Sequence, residues 1–176
     1  YKALYSSTNG MSNIAVGKEA LSGNTVGSDN IAIGNSALTA NGSGQRNIAI
    51  GTNALKANTQ AYEHSGDLVG WAQSGDNIAI GYDTLANNET PGGNIAIGTN
   101  VLTANTSGWF NTGVGNKALK DNTTGGRNVA VGNGALNNNT EGEYNVAIGA
   151  NALADNTTGS NNTAIGEDAC KYVKGS

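Results

Sequence analysis

One pentapeptide returns nine times. Asn, a β-branched residue, Ala or Gly, a second β-branched residue and Gly begin at 13, 30, 47, 77, 94, 111, 128, 145 and 162. Every interval is 17 residues except that from 47 to 77, which is 30. A constant period of this size marks a chain that stacks one small unit on itself. After the pentapeptide the unit reads two variable residues, Ala-Leu, two more variable residues, then Asn, commonly Thr, a variable residue, Gly and two variable residues. Period-two alternation puts both isoleucines of Ile31-Ala32-Ile33 on one side of an extended segment and Ala32 on the other. Gly34 ends that segment where the backbone must bend. Ala37-Leu38 is a second apolar word, and Asn122-Thr123-Thr124-Gly125 has the composition of a tight turn. Each unit is thus predicted to be a coil with two short strands.

A single coil cannot fold. It offers two β-branched residues and one Leu for burial, at about 1.5–3 kcal/mol each, against an ordering cost of about 1–2 kcal/mol for every residue. Stacking gives each strand a parallel neighbour on both sides and merges the apolar columns. The expected fold is therefore all-β, a β-solenoid or parallel β-roll of nine 17-residue coils forming one repeat domain over residues 1–176. Its Ile/Val columns are expected to join the Leu column in the core. The Asn that opens each unit and the Asn at 24, 41, 58, 88, 105, 122, 139 and 156 are expected to form two side-chain amide ladders. Without that periodicity, 27 Gly and 12% charged residues would suggest a chain too polar to order. Ala3-Leu4 precedes Ala20-Leu21 by one repeat, so the chain opens partway through a unit and is expected to be a segment of a longer fibre. Ala169-Cys170 occupies the Ala-Leu slot, with Cys170 expected as a small core hydrophobe.

With the Ile/Val side chains pointing inward, the third position of the pentapeptide points out. It is Ala15, Ala32, Ala49, Ala79, Ala96, Gly113, Ala130, Ala147 and Ala164. A small apolar column on a strand suggests a face covered on both sides, and this stripe is the expected oligomer interface of a parallel homotrimer. On that reading Ala96→Glu disrupts assembly much more than Thr99→Glu.

The motif Asn-Ile-Ala-Ile-Gly-x-x-Ala resembles the head repeats of trimeric autotransporter adhesins. The longer form closing in Asn156-Thr157-Thr158-Gly159-Ser160-Asn161 is similar to repeats of phage tail-fibre and other surface-fibre proteins. The resemblance covers nearly the whole chain, although the adhesin-head unit is usually shorter. It implies a left-handed parallel β-roll, three chains packed side by side, and an extracellular place on a virion or cell surface. The function it implies is that of a structural and adhesive fibre segment, a rigid spacer that also touches a host-surface glycan or protein receptor.

No catalytic constellation is present. His64 is the only His, and the 13 Asp and Glu form no column. One Cys and one His cannot make an all-Cys/His zinc cage, and the glycine turns lack the Asp ladder of calcium-loaded rolls, so no metal and no cofactor is expected. Net charge of −4 argues against a nucleic-acid partner. No apolar run approaches the length of a membrane span, so no membrane insertion is expected. The long interval places an insertion within 60–76, holding Tyr62, His64 and Trp71, and loops on rigid scaffolds often carry recognition. Trp109, Phe110 and Tyr144 stand just before the Asn of the next unit. These six residues are the candidate ligand contacts. Thr at 25, 59, 106, 123, 140 and 157 raises ice binding as an alternative, and a self-assembling extracellular filament is a second.

Overall fold

A computed structural model of the chain describes residues 2–59, 75–90 and 92–172. Among these residues nine strands of three residues each run β1 (Ile14–Val16), β2 (Ile31–Ile33), β3 (Ile48–Ile50), β4 (Ile78–Ile80), β5 (Ile95–Ile97), β6 (Thr112–Val114), β7 (Val129–Val131), β8 (Val146–Ile148) and β9 (Thr163–Ile165). They form one parallel sheet in sequence order, and the fold is the β-solenoid that the period requires. Pairing advances by one repeat without slip, as in Ile31↔Ile48, Ala32↔Ala49 and Ile33↔Ile50. The register also survives the long interval, where β3 meets β4 as Ile48↔Ile78. The inserted segment is accommodated without breaking the stack, and its residues 60–74 lie outside the described ones.

Strands stop after three residues because the following glycine leaves the region open to L-residues. Gly132 has φ 139°, and a Cβ built on it would fall on the carbonyl oxygen of Gly149 in the next rung. The second apolar word is a turn, in place of the expected second strand. Leucines in this slot, from Leu4 to Leu153, have φ between 48° and 53°. The left-handed conformation costs about 1–2 kcal/mol for a residue with a Cβ. It persists because rung-to-rung hydrogen bonds continue through the turn, Leu21 N–H to Ala37 C=O at 2.9 Å and Leu136 N–H to Ala152 C=O at 3.0 Å. Turning at Leu aims its side chain across the coil, where Leu21 to Leu153 are all fully buried.

The core corrects the expected facing of the strands. Ala32, Ala49, Ala79, Ala96, Ala130 and Ala147 are fully buried, Ala164 is 4% exposed, and Ala15 is partly buried against the same core. The Ile and Val on either side point outward. The space between the strand and the opposite turn is too narrow for anything else. A Cβ added to Gly113 would lie 2.6 Å from Val101 Cγ1 across the coil, so these facing positions normally hold one methyl each. Ile or Val in the strand column would overfill that gap. The stripe Ala15, Ala32, Ala49, Ala79, Ala96, Gly113, Ala130, Ala147 and Ala164 is therefore core, and not an oligomer interface. A charge at Ala96 would test folding, and would say nothing about assembly. Cys170 also departs from expectation. It keeps the Leu-slot turn, φ 49°, yet is exposed, because only one described rung packs against it.

Candidate functional site

Turning the strands over puts Ile and Val, in place of Ala, on the outward face. Positions one and three of the nine strands place sixteen aliphatic residues, with Thr112 and Thr163, in two outward columns. Ile33, Ile97 and Ile148 lie in the middle of the stack with rungs on both sides, and still expose 38%, 38% and 40% of their surface. The face carries no charge. Three residues at about 3.3 Å and nine rungs at about 4.8 Å make a flat footprint of roughly 430 Å². That size falls among the largest apolar patches of monomeric proteins, which are commonly functional.

The ladder of opening asparagines runs unbroken from Asn13 to Asn162, and the second ladder forms on either side of the long interval, where Asn58 Oδ1 is buried without a hydrogen bond. Asn47 Nδ2 donates to Asn30 Oδ1 at 3.2 Å, and its backbone N–H donates to the same oxygen at 3.0 Å. In the second ladder Asn122 Nδ2 donates to Asn105 Oδ1 at 2.8 Å. The two ladders meet on shared turn carbonyls. Asn111 and Asn122 both donate to Gly125 C=O, at 2.8 and 2.9 Å, and Asn128 and Asn139 both donate to Gly142 C=O. Ladder asparagines from Asn24 to Asn156 are fully buried, so this column is structural. The Thr column is tied up in a similar way. Hydroxyls of Thr25, Thr106, Thr123 and Thr140 donate to the next rung's carbonyls at 2.8–3.2 Å. These four hydroxyl hydrogens are used between rungs.

The residue before the Asn that opens each unit forms a third left-handed corner, with φ 53° at Phe110 and 57° at both Arg127 and Tyr144. Corner backbones are bonded rung to rung, Arg127 N–H to Trp109 C=O at 2.9 Å and Tyr144 N–H to Gly126 C=O at 3.1 Å. Side chains at these corners therefore stand in a column near the rung spacing, close enough for planar groups to stack. Arg127 Cζ lies 3.9 Å from the centroid of the Trp109 ring and 5.0 Å from that of Tyr144. Its Nη1–H donates to the Tyr144 hydroxyl. Trp109 meets Phe110 edge-on, with centroids 5.5 Å apart and planes at 66°. Glycine in the neighbouring rung makes room for the indole, since a Cβ on Gly126 would sit 3.2 Å from Trp109 Nε1. The rings of Phe110 and Tyr144 remain 47% and 45% exposed. Earlier in the same column Arg46 makes a two-pronged pair with Asp76, Nε–Oδ1 2.6 Å and Nη2–Oδ2 3.1 Å. That pair holds the Asp76 carboxyl below its usual range, chiefly through the hydrogen bond.

Of the candidate contacts, Trp109, Phe110 and Tyr144 come together at this corner, while Tyr62, His64 and Trp71 lie outside the described residues. Arg127, the group that joins the aromatics, was missed by sequence reasoning. Its signal was present in the spacing, because 110, 127 and 144 differ by one repeat each. Among the described residues no three His, Cys, Asp or Glu gather as a metal site. Among the same residues no helix is long and apolar enough to cross a membrane. Comparison of the chain with protein-family models, curated proteins and solved structures returns no match.

Proposed function

We propose that this chain is a structural and adhesive fibre segment on the exterior of a virion or cell. In this reading parallel copies, three about a common axis, cover one another's Ile/Val faces, and the corners stay free for receptor contact. One observation carries it: two uninterrupted columns of β-branched side chains face outward on a sheet whose other face already has its core. A strand with apolar residues on both faces belongs to a sheet covered on both faces. Identical copies suit the task, since a second rod presents the same rung spacing and the same columns. The resemblance of the repeat to trimeric adhesin heads and tail fibres points the same way. Contact area would rise linearly with rung number, giving a stiff rod whose association strengthens with length.

The test is substitution on the outward face. Ile97→Glu combined with Val131→Glu would bury two carboxylates between copies and is expected to yield monomers by light scattering. Thr99→Glu, on an exposed position beside the strand, is expected to leave the parent mass unchanged. A doubly substituted chain with the parent's oligomeric mass would overturn the reading.

A further inference from the structure

The corner column holds two arginines in different company. Arg46 spends the edge of its guanidinium on the Asp76 carboxylate one rung away. Arg127 has its Cζ over two aromatic rings, 3.9 Å from the Trp109 centroid and 5.0 Å from that of Tyr144, donates to the Tyr144 hydroxyl, and has no carboxylate within 4.0 Å among the described residues. A guanidinium has five donors in its plane. One N–H is spent on the Tyr144 hydroxyl and the side chain is exposed, so further N–H groups of the guanidinium fork face solvent beside the two rings. What completes such an edge is shown by Arg46: a carboxylate held in the plane. Beside it the half-exposed rings of Phe110 and Tyr144 present flat apolar surface with a hydroxyl at its margin.

We propose that this corner binds a carboxylated sugar, a pyranose bearing an acid group, with the carboxylate on the Arg127 edge and the ring against Phe110 or Tyr144. Charge selects a monoanion. Glu143 precedes Tyr144 and the chain carries −4 overall, which disfavours a polyphosphate. The assignment deepens the receptor-contact part of the fibre reading by naming the ligand class.

Calorimetric titration of the full chain would use two monoanionic probes, the methyl glycoside of a single uronic acid and a sialylated lactose. Each would be matched by the same sugar with its carboxyl reduced to the alcohol. At least one acidic probe is expected to bind, about tenfold more tightly than its reduced form. Arg127→Gln is expected to remove that preference and Arg127→Lys to weaken binding, since an ammonium lacks the planar fork. Phe110→Ala should weaken acidic and reduced forms alike. Which acidic probe binds identifies the source of the carboxylate. Absence of binding by both, equal binding of the reduced forms, or undiminished affinity in Arg127→Gln would overturn the assignment. Mass measured on the same samples separates the two ideas. A parent assembly that ignores both sugars sinks the ligand class alone, and a monomer that binds them sinks the sister-chain face alone.

Discussion

At the scale of single residues the core is a column of matched volumes, and two of its three exceptions compensate each other. Most rungs put Ala in both facing slots; Thr84 takes one of them in its rung, and one crossing has Val101 against Gly113, with a Cβ on Gly113 only 2.6 Å from Val101 Cγ1. Gly113→Ala alone should overpack this crossing by about 1–3 kcal/mol, and Val101→Ala alone should leave a gap worth about 1–2 kcal/mol. The double variant restores the usual Ala pair and is expected to recover most of the loss, with a coupling of at least about 1 kcal/mol in urea unfolding. Strictly additive losses would refute the compensation. The same residues explain what was misread from sequence. Outward Ala was inferred because Ile and Val were assigned to the core on hydrophobicity. Yet the opening Asn and the third-position Ala share a parity, and once Asn30 is placed in an interior ladder, Ala32 must follow it inside. Arg127 escaped notice for a different reason, since a lone cation among polar corner residues acquires meaning only when rungs stack Trp109 and Tyr144 against it.

At the scale of the element, one rung is held by amides as much as by methyls. Asn122 donates to Asn105 and Gly125 and accepts from Asn139, all while fully buried. Asn122→Ala would strand buried partners on both sides, a loss of about 1–3 kcal/mol for each unsatisfied group. It is expected to lower the unfolding midpoint far more than Asn116→Ala on the exposed side, and equal effects would argue against the ladder. These ladders were legible in the sequence, because buried amides at a fixed period have few other partners. The turn at Leu was not legible, since a left-handed Leu is stabilised only by bonds from adjacent rungs. Between rungs the Arg46–Asp76 pair makes a pH-dependent contribution. Its carboxyl is held low in the fold, so its stabilisation is present above the ordinary aspartate range and disappears as pH falls through the folded value. Both side chains are about half exposed, at 46% and 54%, which limits the pair to about 1 kcal/mol or less. Asp76→Asn should lower the melting temperature slightly at pH 7 and converge with the parent in acid. A difference that grows on acidification would contradict this sign.

For the whole molecule, repetition turns weak local preferences into a rod with a direction, a hydrogen-bonded spine and one uncharged apolar flank. The period and the resemblance were enough to anticipate an all-β solenoid in nine rungs, and register through the 30-residue interval followed from the motif's return at Asn77. Function is less visible because it depends on what covers the flank, and that is set by side-chain direction. The Ile/Val columns make the central proposal concrete: sister chains would occupy that face. Sedimentation equilibrium of the unmodified chain at micromolar concentration tests it most directly. A single species of three times the 17.6 kDa of one chain is the result expected, and a stable monomer at the highest soluble concentration would contradict it.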